Sequence, residues 1–336
     1  MKFGIIGSNH NHVFTFVKHM LERKCEFIGI VADGQANTQK LVQDYHVKVY
    51  KTEEALFAEG VDVIGCFSPN NKRIDVVEMC AEKSVHIMSD KPLVVNDTDY
   101  KRLVKAAESG IEIGLMYTVR FEKSVWMLKE LLDHNEIGEL INIEMFNPHK
   151  LTPEKRPDWH FSKEESGGIA IDLFSHGVDL FRWFTNRQPI KYRYSVMTKS
   201  ILEDKNDFYD FASSNFITSN GITGYQRVDW HIPDAHWNWG DLRIFCLGTK
   251  GYAEARVLGD PITHEEELIV SSHANGTKKC DLKDVELNET SDFLNRIEGK
   301  KACITLEDVL VSCRETLLLD KETKKINLFS LRQVLE

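Results

Sequence analysis

Asp172, His176 and Asp179 lie at i, i+4 and i+7 in the stretch Ser166–Trp183, SGGIAIDLFSHGVDLFRW. On a helix these three side chains point the same way. The positions around them are apolar: Ile171, Leu173, Phe174, Leu180, Phe181 and Trp183. Polar groups among apolar neighbours cost free energy unless they are bonded or used. Two readings follow. His176 is a buried histidine satisfied by the aspartate one turn earlier, or the pair transfers protons, with His176 as base and Asp172 as its orienting partner. Asp179 either anchors the helix or bonds substrate. Gly167 and Gly168 leave room for backbone approach at the edge of a pocket.

The first third of the chain should bring a ligand to such a pair. Lys2–Ile6, Phe27–Ala32, Val47–Tyr50, Val61–Phe67, Val85–Met88 and Ile111–Met116 are short apolar runs separated by helical patterns. That alternation predicts a parallel, doubly wound α/β sheet. Ligands in such sheets sit beyond the carboxyl ends of the strands. Here those ends are Gly7–His12, Asp33, Ser68–Asn71 and Asp90–Pro92, and they are expected to converge on one crevice.

Gly7 opens the place where a dinucleotide fingerprint G-x-G-x-x-G would lie, but the chain reads Gly7-Ser8-Asn9-His10-Asn11-His12. Only the first glycine is present. Asn9 tolerates a left-handed backbone better than most residues, whereas His12 replaces a close-packing glycine. The helix that follows still favours a pyrophosphate at its N-terminus. Asp33 ends the second strand, where an acidic residue bonds ribose hydroxyls or simply caps a loop. No arginine follows it closely, so NAD is favoured over NADP. His10 and His12 are half of a metal site, or they pack within their loop. No partner ligand is assignable from sequence, and no metal is expected.

Composition sets bounds. A chain of 336 residues suggests two domains. The formal net charge is −10, with no basic block, which argues against nucleic acid or an anionic membrane as partner. Seven scattered cysteines without a CxxC pair fit reduced thiols in a cytoplasmic protein. The N-terminal residues MKFGIIGSNH do not read as a signal peptide, and no apolar run is long enough to span a bilayer.

Taken together, FGIIGSNHNH, VAD, CFSPNN, SDKPL and SGGIAIDLFSHGVDLFRWF resemble the Gfo/Idh/MocA oxidoreductases over essentially the whole chain. The most specific matches are Asp90-Lys91-Pro92, similar to the family's E-K-P, and Gly167-Gly168…Asp172…His176…Asp179, similar to its G-G-x-x-x-D-x-x-x-H-x-x-D. RPDWHF, VDWHIPD and GDLRIFCLGTKGYAEAR resemble one subgroup that tends to carry a GxxHxH first loop. The resemblance implies a nicotinamide cofactor held by the first domain, near Gly7, Ser8, Asn9, His10, Asp33, Ser68, Asn70, Asp90, Lys91 and Pro92. It implies Lys91, Asp172 and His176 as the catalytic group and a sugar, cyclitol or related polyol as substrate.

The remaining two thirds reads as α+β, a predominantly antiparallel sheet with helices on one side. Strand pairs flank Asn220-Gly221 and Asn275-Gly276. The expected division is residues 1–119 for cofactor and 120–336 for substrate and oligomerisation. The free sheet face is expected to form a homodimer or homotetramer, as the resemblance implies. Arg120 is a substrate clamp or a surface residue in ion pairs. His149, Arg156, Trp159, His160 and His231 line a sugar pocket, where aromatic faces stack on rings, or they form an aromatic patch at a subunit contact.

Three functions are consistent with this pattern. The first is hydride transfer between NAD and a secondary alcohol or its ketone. The second is internal redox with the same site, as in relatives that cleave glycosides through a transient ketone. The third is a non-catalytic sugar or nucleotide sensor, suggested by the altered glycine loop.

Overall fold

The computed structural model describes residues 1–32 and 36–335. In chain order the elements are β1 (Lys2–Ile6), α1 (His12–Glu22), β2 (Glu26–Val31), α2 (Ala36–Tyr45), β3 (Lys48–Tyr50), α3 (Glu53–Phe57), β4 (Val63–Cys66), α4 (Arg73–Lys83), β5 (His86–Ser89), α5 (Asp97–Ala107) and β6 (Ile113–Leu115). Then come α6 (Lys123–Asp133), β7 (Leu140–Pro148), α7 (Lys163–Ser166), α8 (Gly168–Phe184), β8 (Ile190–Lys199), β9 (Phe211–Thr218), β10 (Thr223–Asp229), β11 (Arg243–Gly248), β12 (Gly251–Arg256), β13 (Glu267–Ser272) and β14 (Gly276–Lys279). The chain closes with α9 (Glu289–Ile297), α10 (Leu306–Glu322), β15 (Lys324–Asn327) and α11 (Leu328–Leu335).

Contacts divide the chain into two units. The first comprises residues 1–118, 164–167 and 287–314; the second comprises 119–163, 168–286 and 315–336.

The first unit carries a six-stranded sheet in the order β3-β2-β1-β4-β5-β6. All its pairs are parallel. Phe3, Phe16, Met20 and Phe67 lie in its core. Helix starts are set by side chains that satisfy the first free N–H groups: Thr52 accepts from the Ala55 N–H and Asn96 from the Asp99 N–H.

The expected division placed residues 287–314 with the second domain, and contacts place them with the first. The cause is apolar packing and ion pairing. Phe293 and Leu294 of α9 belong to the first unit's core. Arg296 Nε lies 2.6 Å from Glu112 Oε2, and its Nη2 donates to the Ile113 carbonyl at 2.5 Å.

The second unit is built on a nine-stranded sheet in the order β14-β13-β12-β11-β7-β10-β9-β8-β15. It is mostly antiparallel, but β7 pairs β10 and β15 pairs β8 in parallel. Asn220-Gly221 joins β9 to β10, and β13 and β14 pair across Asn275 as their turn signal predicted. Leu173, Phe174 and Val178 of α8 pack with Ala212, Val228, Trp230 and Leu319 in one core. That apolar stripe, facing strands, is why the pattern folds as helix from Gly168 onward.

Candidate active site

In the first unit the β1–α1 loop meets the ends of β4 and β5. Gly7 has φ +74, and a Cβ there would sit 2.6 Å from the Ser68 backbone. Only glycine fits, which satisfies the first requirement of a loop that admits a dinucleotide. The Gly7 N–H donates to Val31 and the Asn9 N–H to Phe67, so the loop is pinned to β2 and to the residue after β4.

Several expected cofactor residues have structural bonds of their own. The Ser8 and Thr38 hydroxyls are 2.7 Å apart and buried. Ser68 Oγ donates to the Ile6 carbonyl, and Asn70 Nδ2 donates to the Ser166 carbonyl at 2.8 Å. Asp33 lies outside the described residues.

Asp90 is fully buried. Its Oδ1 accepts from the Lys91 N–H at 2.8 Å and is 2.9 Å from His12 Nδ1. Its Oδ2 is 3.0 Å from His10 Nδ1 and 3.6 Å from Arg73 Nη2. Burial alone would raise the Asp90 carboxyl; His10 and His12, when protonated, and Arg73 outweigh it and hold the group well below the ordinary carboxylate range. The partner that sequence could not assign to His10-x-His12 is therefore Asp90, about eighty residues further along the chain.

Arg73 was missed as well. It is 2% exposed and donates to the Ser68 carbonyl from Nε and the Pro92 carbonyl from Nη1. It thus ties the residues after β4 to those after β5. A single arginine at a helix start carries no sequence signal for this.

In the second unit, α8 presents Asp172 half-buried and His176 buried, one turn apart. A cavity of ≈10 Å³, about the size of one water, lies beside His176. Gly177, Gln226 and Asn147 also line it. Gly177 admits β10 closely: a Cβ there would meet Gln226 Oε1 at 2.1 Å.

Arg156 feels the negative charge of Asp172, although burial is the larger influence and lowers the guanidinium's proton affinity. Its Nε donates to the Leu151 carbonyl, and its guanidinium lies over the Trp230 ring at 5.1 Å. It therefore belongs beside α8 and Asp172, not only to an aromatic patch.

Arg120 is a buried residue, correcting the surface reading. Its Nε and Nη2 donate to Asp179 Oδ2 and Oδ1, both at 2.7 Å. This pair favours the helix-anchoring role for Asp179. His231 Nε2 is 2.9 Å from Asp210 Oδ1, a partner not foreseen. His149 packs edge-on against Trp230 and tilted against Trp239, with ring centroids at 5.5 and 4.9 Å. His160 is buried against Phe161, Phe208 and Trp230, with Trp159 beside it. His149 and His160 thus meet at Trp230, whereas His231 is engaged by Asp210.

No disulfide joins any of the seven cysteines, all of which lie among the described residues. Burial pushes Cys313 up to about 12 and raises Cys66, Cys80 and Cys246 as well, so these are not nucleophiles at neutral pH. No helix among the described residues is long and apolar enough to cross a membrane.

Comparison with known proteins agrees with this geometry. Residues 1–118 match the oxidoreductase family NAD-binding Rossmann fold, and residues 125–254 match the GFO/IDH/MocA C-terminal domain. The chain is 25% identical over 264 residues to the rhizopine catabolism protein MocA of Rhizobium meliloti, covering 77% of this chain and 80% of that one. It is 23% identical over 229 residues to the inositol 2-dehydrogenase of Rhizobium meliloti (strain 1021), covering 67% and 66% of the two chains.

A crystal structure from Erwinia carotovora atroseptica SCRI1043 superposes with a TM-score of 0.90 at 24% identity, covering 97% of this chain and 99% of that one. A 3-ketoreductase from Actinomadura kijaniata, solved with NADP and TDP-benzene, does so with a TM-score of 0.81 at 15% identity, covering 97% and 99%. The fold, the altered but still glycine-led first loop and the paired family matches lead to one conclusion: the chain belongs to the Gfo/Idh/MocA family of oxidoreductases.

Proposed function

We propose that this protein transfers a hydride between a nicotinamide cofactor and a secondary alcohol, or its ketone, on a sugar, cyclitol or related polyol. The observation that carries the reading is the Asp172–His176 pair on α8, one helical turn apart, with His176 beside a water-sized cavity. The names of the matched relatives, which include an inositol 2-dehydrogenase and a glucose-6-phosphate 3-dehydrogenase, support the substrate class.

The β1–α1 loop would hold the cofactor's phosphates, with Gly7 giving backbone access and the Ser68 and Asn70 segment alongside. Bound there, a nicotinamide supplies the hydride acceptor or donor. NAD is favoured over NADP because no arginine follows Asp33 closely.

The chain's own residues handle the proton and the charge. His176 takes the hydroxyl proton, and Asp172 favours the imidazolium that results. Lys91 places a positive charge for the oxygen that gains alkoxide character. Each such contribution is worth roughly 100- to 10,000-fold in rate.

The test is a dehydrogenase screen of the intact protein against polyols, cyclitols and sugars with NAD and NADP. Substrate-dependent NADH or NADPH formation is expected. Turnover without accumulation of reduced cofactor would favour internal redox, and no binding of any of the four nicotinamide dinucleotides would overturn the reading.

A further inference from the structure

We propose that His10, His12 and Asp90 form a binding site for one divalent first-row transition-metal ion, of which zinc is the representative. One ring nitrogen from each histidine and one carboxylate oxygen all lie within 4.8 Å of one another. The proposal is independent of the hydride-transfer reading.

Hydrogen-bond polarity shows that this is more than a cluster of polar side chains. His10 Nδ1 accepts the His12 backbone N–H at 3.3 Å. A ring nitrogen that accepts carries a lone pair and no proton. Yet the same Nδ1 lies 3.0 Å from Asp90 Oδ2. Two acceptors therefore face each other with no hydrogen between them. Asp90 Oδ2 is buried and accepts no hydrogen bond among the described residues. A buried carboxylate oxygen without a hydrogen-bond donor is expensive. Arg73 does not supply the missing donor. Its Nη2 stands 3.6 Å off, while Nε and Nη1 donate to backbone carbonyls.

A cation between the two atoms resolves the conflict. Ligand bonds of about 2.1 Å place two ligand atoms about 3.0 Å apart at an octahedral angle and about 3.4 Å apart at a tetrahedral one; the His10–Asp90 separation of 3.0 Å lies at the octahedral end of that range. His12 adds a second imidazole, since its ring centroid lies 4.2 Å from that of His10. Two imidazoles and one carboxylate suit zinc, iron(II), cobalt(II) or nickel(II) better than magnesium or calcium, which prefer all-oxygen shells. Three protein ligands leave coordination positions open. The ion would clamp the β1–α1 loop to the end of β5, in a loop where two glycines of the dinucleotide fingerprint are replaced. The nearby Arg73 charge opposes a cation, so binding weaker than the tightest zinc range is expected.

The probe is zinc chloride added to the full-length, metal-stripped protein, followed by calorimetry and by metal analysis after dialysis. The expected result is one zinc per chain, with magnesium giving no saturable binding. His10→Ala and His12→Ala should each weaken zinc at least tenfold, while His134→Ala and His273→Ala, on exposed sites, should leave it unchanged. Absence of saturable zinc binding, or binding equally tight in both site variants, would overturn the proposal. X-ray absorption at the zinc edge of the wild-type protein does not depend on any variant folding. Two imidazole ligands with oxygen are expected; a shell containing sulfur, or lacking the two imidazoles, would also overturn it.

Discussion

Arg120 and Asp179 grip one another through two parallel hydrogen bonds of 2.7 Å, both groups buried in the second unit. Bidentate geometry of this kind satisfies a buried charge pair. Losing one partner deprives the other's buried charge of this bidentate pair. Arg120→Ala or Asp179→Ala should therefore each cost about 3–5 kcal/mol of stability. The double replacement Arg120→Met with Asp179→Leu should cost less than either single change. Urea titrations of the three variants measure this, and additive losses would show that the two groups are not coupled.

Turnover should depend on the proposed acid/base group. His176→Ala and Lys91→Ala are each expected to lower kcat at least tens-fold while the melting profile stays close to that of the parent. Full activity of either variant on the right substrate would remove it from the catalytic group.

Gly7 offers a test of the loop. Its φ of +74 and the 2.6 Å approach of a Cβ to the Ser68 backbone leave alanine no relaxed position. Gly7→Ala should destabilise the protein by about 2 kcal/mol or more and weaken dinucleotide binding. Thermal melts with and without cofactor separate the two effects.

The His231–Asp210 pair should make stability depend on pH. The Asp210 hydrogen bond raises His231 above its ordinary value. Asp210 is itself lowered, because its bonds to His231 and Ser200 outweigh burial. A raised histidine contributes fully below its unfolded value, near 6.5, and loses that contribution as pH climbs through the folded one. On the acid side the pair fails only as pH falls through the lowered Asp210 value. His231→Gln should thus cost more at about pH 5.5 than at about pH 8.5, by less than about 1 kcal/mol because the ring is half exposed. Equal losses at both pH values in chemical denaturation would refute this.

Local chemistry made much of this protein readable in one dimension. Apolar strands alternating with amphipathic helices dictate a parallel sheet, because buried strands need helices on both faces. The i, i+4 spacing alone puts Asp172 and His176 on one helix face. Turn pairs such as Asn220-Gly221 marked their hairpin through backbone preference alone.

Other features exist only once distant segments pack. Arg120 finds Asp179 fifty-nine residues away, and His10 and His12 find Asp90 nearly eighty residues on. Helix α9 joins the first unit because Phe293 and Leu294 complete its core, though the chain reaches them only after the second unit's sheet. Periodicity reports which face of an element is apolar, not which element will cover it. The side-chain partnerships that decide charge, protonation and ligand capacity therefore belong to the tertiary structure.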